Sequence, residues 1–262
     1  MEILLVIIMG MVGAAFGSFV NVVADRLPAE RSLLRPPSHC DACQRRLSAL
    51  DLIPVFSYIF LRGRCRTCGA GIPLRVLLVE LGCGLWTAFL FWNRGLSWDF
   101  AVISLYSYFY IAILLIDLKH QLILNKMILP GLIAALVISP FFLKTEMLHQ
   151  NIAAWGPVNA LIGAAAGFVL LLIPALVSRG GMGFGDVKMA AFIGMTTGFP
   201  EVLVAVLGGI ILGGLTAIIL LVLKIKKRKE VIPFGPFLSV ASIITLVWGT
   251  QILEGWLALF AR

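Results

Sequence analysis

Six aspartates occur in the 262-residue chain. Two of them stand where an acid is costly. Asp117 closes the apolar stretch IAILLIDLKHQLIL, and Asp186 follows the run GGMGF and opens VKMAAFIGMTTGF. An ionisable group so close to apolar helix is a functional candidate by default, although each acid alone could also cap a helix at a membrane interface. Two carboxylates in contact share a proton and titrate as a unit. That state suits aspartyl proteolysis: the ionised acid draws a proton from water, and the protonated acid donates to the scissile carbonyl. Gly180, Gly181, Gly183 and Gly185 precede Asp186. Their spacing fits neither a P-loop nor a dinucleotide-binding turn. Glycines here leave room for an extended peptide backbone to press against the acid.

The second constellation is Cys40-Asp-Ala-Cys43 and Cys65-Arg-Thr-Cys68, with 21 residues between the pairs. Two residues between cysteines let both thiolates face one ion from a tight turn, and two such knuckles make a closed four-cysteine site for one structural zinc. A loop of this size is too small to hold itself together by burial alone, so a metal staple is physically useful. A redox dithiol pair or disulfides are the alternatives, which a cytoplasmic face disfavours. His39 beside the first knuckle reads as a solvated side chain, and Cys83 as plain packing.

These residues need a membrane to hold them. The chain is 60% hydrophobic and 13% charged, against roughly 25% charged in a soluble domain. Apolar stretches at about 2–23, 75–92, 99–116, 121–142, 152–177, 187–199, 201–223 and 232–254 predict an all-α polytopic membrane protein of about eight spans, each needing roughly 20 residues. The sixth is too short to cross comfortably. The N-terminal run lacks a basic flank and exceeds a signal peptide's apolar core, so it reads as a retained span. Gly-x-x-x-Gly at 13/17, 163/167 and 209/213 suits close helix packing.

The formal charge is +8, which lysines and arginines on the cytoplasmic face explain without any nucleic acid. With the N-terminus outside, 18 of the 21 Lys and Arg residues fall on the cytoplasmic side, leaving only Arg94, Lys144 and Arg262 outside. The basic run Lys224, Lys226, Lys227, Arg228 and Lys229 anchors that face and could bind anionic lipid. The predicted organisation is a first span (1–23), a cytoplasmic four-cysteine loop domain (24–74) and a membrane bundle carrying the acids (75–262). Two spans separate Asp117 from Asp186, so both carboxylates sit at the cytoplasmic end.

At these residues the chain resembles the type IV prepilin peptidases, bifunctional members of the Gly-x-Gly-Asp aspartyl proteases. Gly183-Phe184-Gly185-Asp186-Val187-Lys188 is similar to the second catalytic motif and Asp117-Leu118-Lys119 to the first. Gly17-Ser18-Phe19-Val20-Asn21-Val22-Val23, Arg26-Leu27-Pro28, Ile53-Pro54-Val55, Leu61-Arg62-Gly63-Arg64-Cys65 and Leu78-Val79-Glu80 also match. One stretch departs: where the family shows Leu-Pro-Asp after the first aspartate, this chain has Ile123-Leu124-Asn125. The resemblance implies Asp117 and Asp186 as catalytic acids. It implies removal of the basic leader from type IV prepilins or pseudopilins at the bacterial inner membrane. It also implies N-methylation of the new terminus from S-adenosylmethionine, an activity associated with the cysteine loop. No binding residues for that methyl donor are visible in the sequence. Glu80, where the loop re-enters the membrane, is a candidate for handling the amine, or a bundle-facing acid with a structural partner. A peptidase that no longer methylates is one alternative. A proton-coupled transporter with a zinc-stapled loop is another, but it leaves the glycine motif beside Asp186 unexplained.

Overall fold

In the computed structural model, residues 2–142, 156–177, 182–225 and 232–260 are described. Gly180, Gly181, Lys226, Lys227, Arg228 and Lys229, together with Lys144, His149 and Arg262, lie outside the described residues. Among those described, the regular structure is helical: α1 (Glu2–Arg26), a 3-10 turn (Ala49–Leu52), α2 (Phe56–Phe60), α3 (Leu74–Arg94), α4 (Trp98–His120), α5 (Asn125–Phe142), α6 (Gly156–Val177), α7 (Phe184–Thr197), α8 (Glu201–Val222) and α9 (Gly235–Phe260). Seven of these, α1, α3, α4, α5, α6, α8 and α9, are long and apolar enough to cross a membrane. Large apolar side chains stay exposed along them, Ile133, Ile173 and Val222 among others. Water would penalise such a surface and lipid does not.

The short sixth stretch becomes α7, of 14 residues. At 1.5 Å per residue it covers about 21 Å, well under the hydrocarbon thickness. It is enclosed by protein instead, with Val187, Met189, Ala190, Phe192 and Ile193 all buried. It also starts earlier than its apolar run suggests. Gly183 caps the helix, which places Asp186 in the first turn, where the N-terminal end of the macrodipole favours an acid.

The chain divides into two compact units, Met1–Ala112 and Ile113–Arg262, with the boundary inside α4. In the first, α1 and α3 pack through glycine. A Cβ at Gly17 would lie 2.9 Å from the Cys83 Cβ and 2.9 Å from the Glu80 Cα, so the two backbones approach as only a missing side chain allows. Phe16 stacks on Tyr108, and the Thr87 hydroxyl bonds that tyrosine's hydroxyl. In the second unit α6 and α7 are joined the same way: a Cβ at Gly163 would collide with the Gly194 carbonyl, and one at Gly194 with the Gly163 carbonyl. Gly209 of α8 packs on Leu238 of α9. The turn leaving α7 is held from α6, where Asn159 Oδ1 accepts the Phe199 N–H at 2.8 Å.

Candidate active site and metal centre

Asp117 occupies the last turn of α4. The helix ends because Gln121 takes a left-handed conformation, φ 53°, and its N–H donates back to the Asp117 carbonyl at 2.9 Å, a helix-terminating cap. The Asp117 side chain points into protein and is 5% exposed. One oxygen, Oδ2, accepts the backbone N–H of Gly235 at 3.0 Å. Gly235 begins α9, and a Cβ there would sit 2.7 Å from that same oxygen. The first turn of α9 thus supplies a hydrogen bond and an unshielded helix end to the acid, and glycine is required for the approach.

Asp186 sits at the start of α7, half-buried, beside an exposed Gly183. Its N–H donates to the Gly183 carbonyl at 3.1 Å, and the Gly183 N–H returns to its carboxylate. The carboxylate bond is the acid's half of a capping box, with the acid three residues into the helix; the glycine N-cap has no side chain to supply the other half. Asp117 acts electrostatically on Asp186, which puts the two carboxylates within range of one another. The loop from α4 to α5 is clasped onto the glycine turn. A Cβ at Gly185 would lie 2.9 Å from the Ile123 Cβ, and Lys188 Nζ donates to Asn125 Oδ1 at 3.1 Å. Asn125 therefore serves the α5–α7 contact.

Cys40, Cys43, Cys65 and Cys68 place their sulfurs within 4.8 Å of one another, and this cluster could hold a metal ion. Four sulfurs at about 2.3 Å from a tetrahedral centre are about 3.8 Å apart, and Cys40 Sγ lies 3.7 Å from Cys68 Sγ. The two knuckles repeat one backbone design. The Cys40 carbonyl accepts the Gln44 N–H and the Cys65 carbonyl accepts the Gly69 N–H, with Gln44 and Gly69 both left-handed. The backbone N–H groups of Cys68 and Thr67 draw the Cys65 thiol down to about 6, which favours a thiolate. His39 stands apart, its Nδ1 at 3.1 Å from the Pro37 carbonyl oxygen. Cys83 is buried in α3, as packing predicts.

Residues 11–94 match the bacterial peptidase A24 N-terminal domain, and residues 104–218 match the type IV leader peptidase family. A relative in Stutzerimonas stutzeri, a prepilin leader peptidase/N-methyltransferase, is 32% identical over 273 residues, covering 95% of this chain and 92% of its own. A relative of the same name in Bacillus subtilis is 30% identical over 249 residues, covering 92% of this chain and 94% of its own. The chain belongs to the type IV leader peptidase family. No solved structure matches it.

Three features of this leader peptidase escape a reading of its sequence. The contact of Gly235 with Asp117 joins residues 118 apart. Pro233-Phe234-Gly235-Pro236 signals a helix start, but nothing in it names the acid it meets. Asp51 is the second. Its side chain is 4% exposed and receives Arg45 at 2.9 Å and Arg66 at 2.8 Å. Arg45 follows the first knuckle and Arg66 lies inside the second, and Arg45 also bonds Thr67. One carboxylate therefore ties both knuckles. The hydroxyl and N–H of Ser48, then the Arg66 guanidinium, hold Asp51 below its ordinary 3.8. The third is at Glu80, which is 5% exposed and accepts the Val55 N–H at 2.7 Å.

Proposed function

We propose that this protein is a bifunctional prepilin peptidase of the bacterial inner membrane. It removes the basic leader of a type IV prepilin or pseudopilin at the cytoplasmic face and N-methylates the exposed terminus. The observation that supports the proteolytic half is a buried Asp117, held by the Gly235 N–H, on a helix whose following loop rests against the glycine turn that carries Asp186. In this reading the pair shares one proton. The ionised member takes a proton from the attacking water as the oxygen bonds to the scissile carbon. The protonated member donates to the carbonyl oxygen, and no covalent intermediate with the protein forms. The Gly235 N–H holds one Asp117 oxygen fixed, which leaves the other for water or substrate.

The exposed Gly183 beside a half-buried Asp186 suits an extended backbone with a small residue before the scissile bond. The relatives carry N-methyltransferase in their names, which favours methylation over a peptidase-only reading. S-adenosylmethionine is the methyl donor. The donor set of Cys40, Cys43, Cys65 and Cys68 fits one structural zinc, because four thiolates leave no open position for chemistry. The positive-inside argument puts the cysteine loop and both acids on the cytoplasmic side, where a basic leader is also retained.

Incubation of the purified protein with a prepilin tests the whole reading. Leader removal after a glycine at the start of the apolar stem, followed by transfer of labelled methyl, is the expected result. Efficient cutting of a mid-membrane bond in a substrate with no cytoplasmic leader overturns it.

A further inference from the structure

Glu80 lies in the second turn of α3, on the seam with α1. Its Oε2 accepts the Val55 N–H, and no other hydrogen bond to it occurs among the described residues. One helix turn away on the same seam is Asn21 of α1, also 5% exposed. Its Nδ2 donates to the carbonyls of Gly17 and Val76, each at 3.3 Å, while its Oδ1 is buried with no partner. Asn21 thus reaches the α3 backbone at Val76, and a Cβ at Gly17 would lie 2.9 Å from the Glu80 Cα, so Asn21 and Glu80 lie about one helix turn apart along the same α1–α3 seam. The nearest cation in sequence, Arg75, pairs through Nη2 with Asp25 at 2.7 Å; its Nη1 is buried without a partner and makes no ion pair with Glu80. Cys83, the other ionisable neighbour, offers no positive charge.

The chain that Glu80 holds is itself unusual. Val55 sits at φ 64°, ψ −54°, and the Phe56 N–H donates to the Pro54 carbonyl at 2.6 Å. This is a γ-turn of the positive-φ kind, rare and strained for a β-branched residue. Strain of this sort persists where the surroundings over-determine it, and it concentrates at sites that grip a ligand. A buried carboxylate without a cation and a buried amide oxygen without a donor each cost free energy as they stand. Both are relieved by one group: a primary ammonium, with positive charge and three N–H donors.

We propose that Glu80 and Asn21 form the site that receives the free α-amine of the cleaved pilin for methylation. The inference rests on the function proposed above and adds the acceptor site to it. The ammonium binds against the Glu80 carboxylate and the Asn21 Oδ1. A proton then passes from nitrogen to a Glu80 oxygen. The freed lone pair attacks the donor's methyl carbon, the C–N bond forms as the C–S bond breaks, and the bonding pair stays on sulfur. The product is a secondary ammonium. Its place in the second turn of α3 suits a substrate whose new terminus begins an apolar stem.

The test is direct binding without methyl donor. The full chain, zinc-loaded in lipid nanodiscs, is titrated with a peptide of a mature apolar stem bearing a free N-terminal amine, and with its N-acetylated form. Wild type should prefer the free amine by about tenfold or more, the scale of one charge-assisted hydrogen bond. Glu80→Gln keeps an oxygen for the Val55 N–H, so zinc content and melting temperature should hold while the preference falls below about twofold. Asn21→Val should raise the KM for methylation of a pre-cleaved pilin. Absence of any preference in wild type, or its survival in Glu80→Gln, overturns the proposal. Prepilin cleavage by wild type is assayed alongside, so that a chain that cleaves without an amine preference refutes only the amine site.

Discussion

Asp117 is the residue on which the proposed mechanism most depends, and its surroundings separate two kinds of damage. Asp117→Asn or Asp186→Asn removes a proton carrier while keeping size and shape. Leader cleavage should fall by about a thousandfold or more in either variant, within the range for general acid–base groups, with an unchanged melting temperature. Near-normal cleavage by either one refutes the pair. Gly235→Ala leaves both acids in place but drives a methyl group toward Asp117 Oδ2. Displacing a reacting group by about an ångström costs up to about a hundredfold, so cleavage should drop without loss of zinc. Asn125→Asp should be tolerated, because an acid there still meets Lys188. Both acids were legible from sequence, since a charge at the end of an apolar helix advertises itself. Gly235 was not, because its role exists only once α9 folds back on α4.

At the scale of elements, the cysteine loop and the α6–α7 pair are the two assemblies a substitution can loosen. Asp51 bonds Arg45 and Arg66, one beside each knuckle, and is not among the four clustered sulfur donors, so with zinc held as proposed Asp51→Asn should weaken its binding by about ten- to a hundredfold, as loss of groups behind the ligands commonly does. Competition with a chromophoric chelator measures this, and unchanged affinity would mean that the knuckles meet without it. In the bundle, Gly194→Ala places a methyl group against the Gly163 backbone. Overpacking of this kind costs about 1–3 kcal/mol, so thermal stability and cleavage should decline together, unlike in the aspartate variants. Hydropathy located the long helices to within a few residues. The start of α7 also falls within three residues of its apolar run, but that boundary is set by Gly183 and the acid in the first turn rather than by apolar content. The cysteine spacing announced the four-sulfur cluster, which could hold a metal, yet gave no sign of Asp51, an ordinary acid in a basic loop until Arg45 and Arg66 converge on it.

For the whole molecule, the orientation reading has a direct check. A membrane-impermeant thiol reagent, applied after chelation, should label Cys40, Cys43, Cys65 and Cys68 in inverted membranes and leave them untouched in intact spheroplasts. Labelling from the outer side would reverse the topology. The brevity of α7 matters in another way, during synthesis. A stretch of 14 residues falls below the roughly 17 that cross a bilayer unaided, and a charged residue such as Asp186 further opposes its insertion. It enters in the company of its neighbours. Asp117 leaves the ribosome earlier, 118 residues before the N–H that steadies it. A nascent chain thus carries Asp117 before Asp186 and before the Gly235 N–H, and in the proposed mechanism proteolysis waits until the helix starting at Gly235 has been translated and packed.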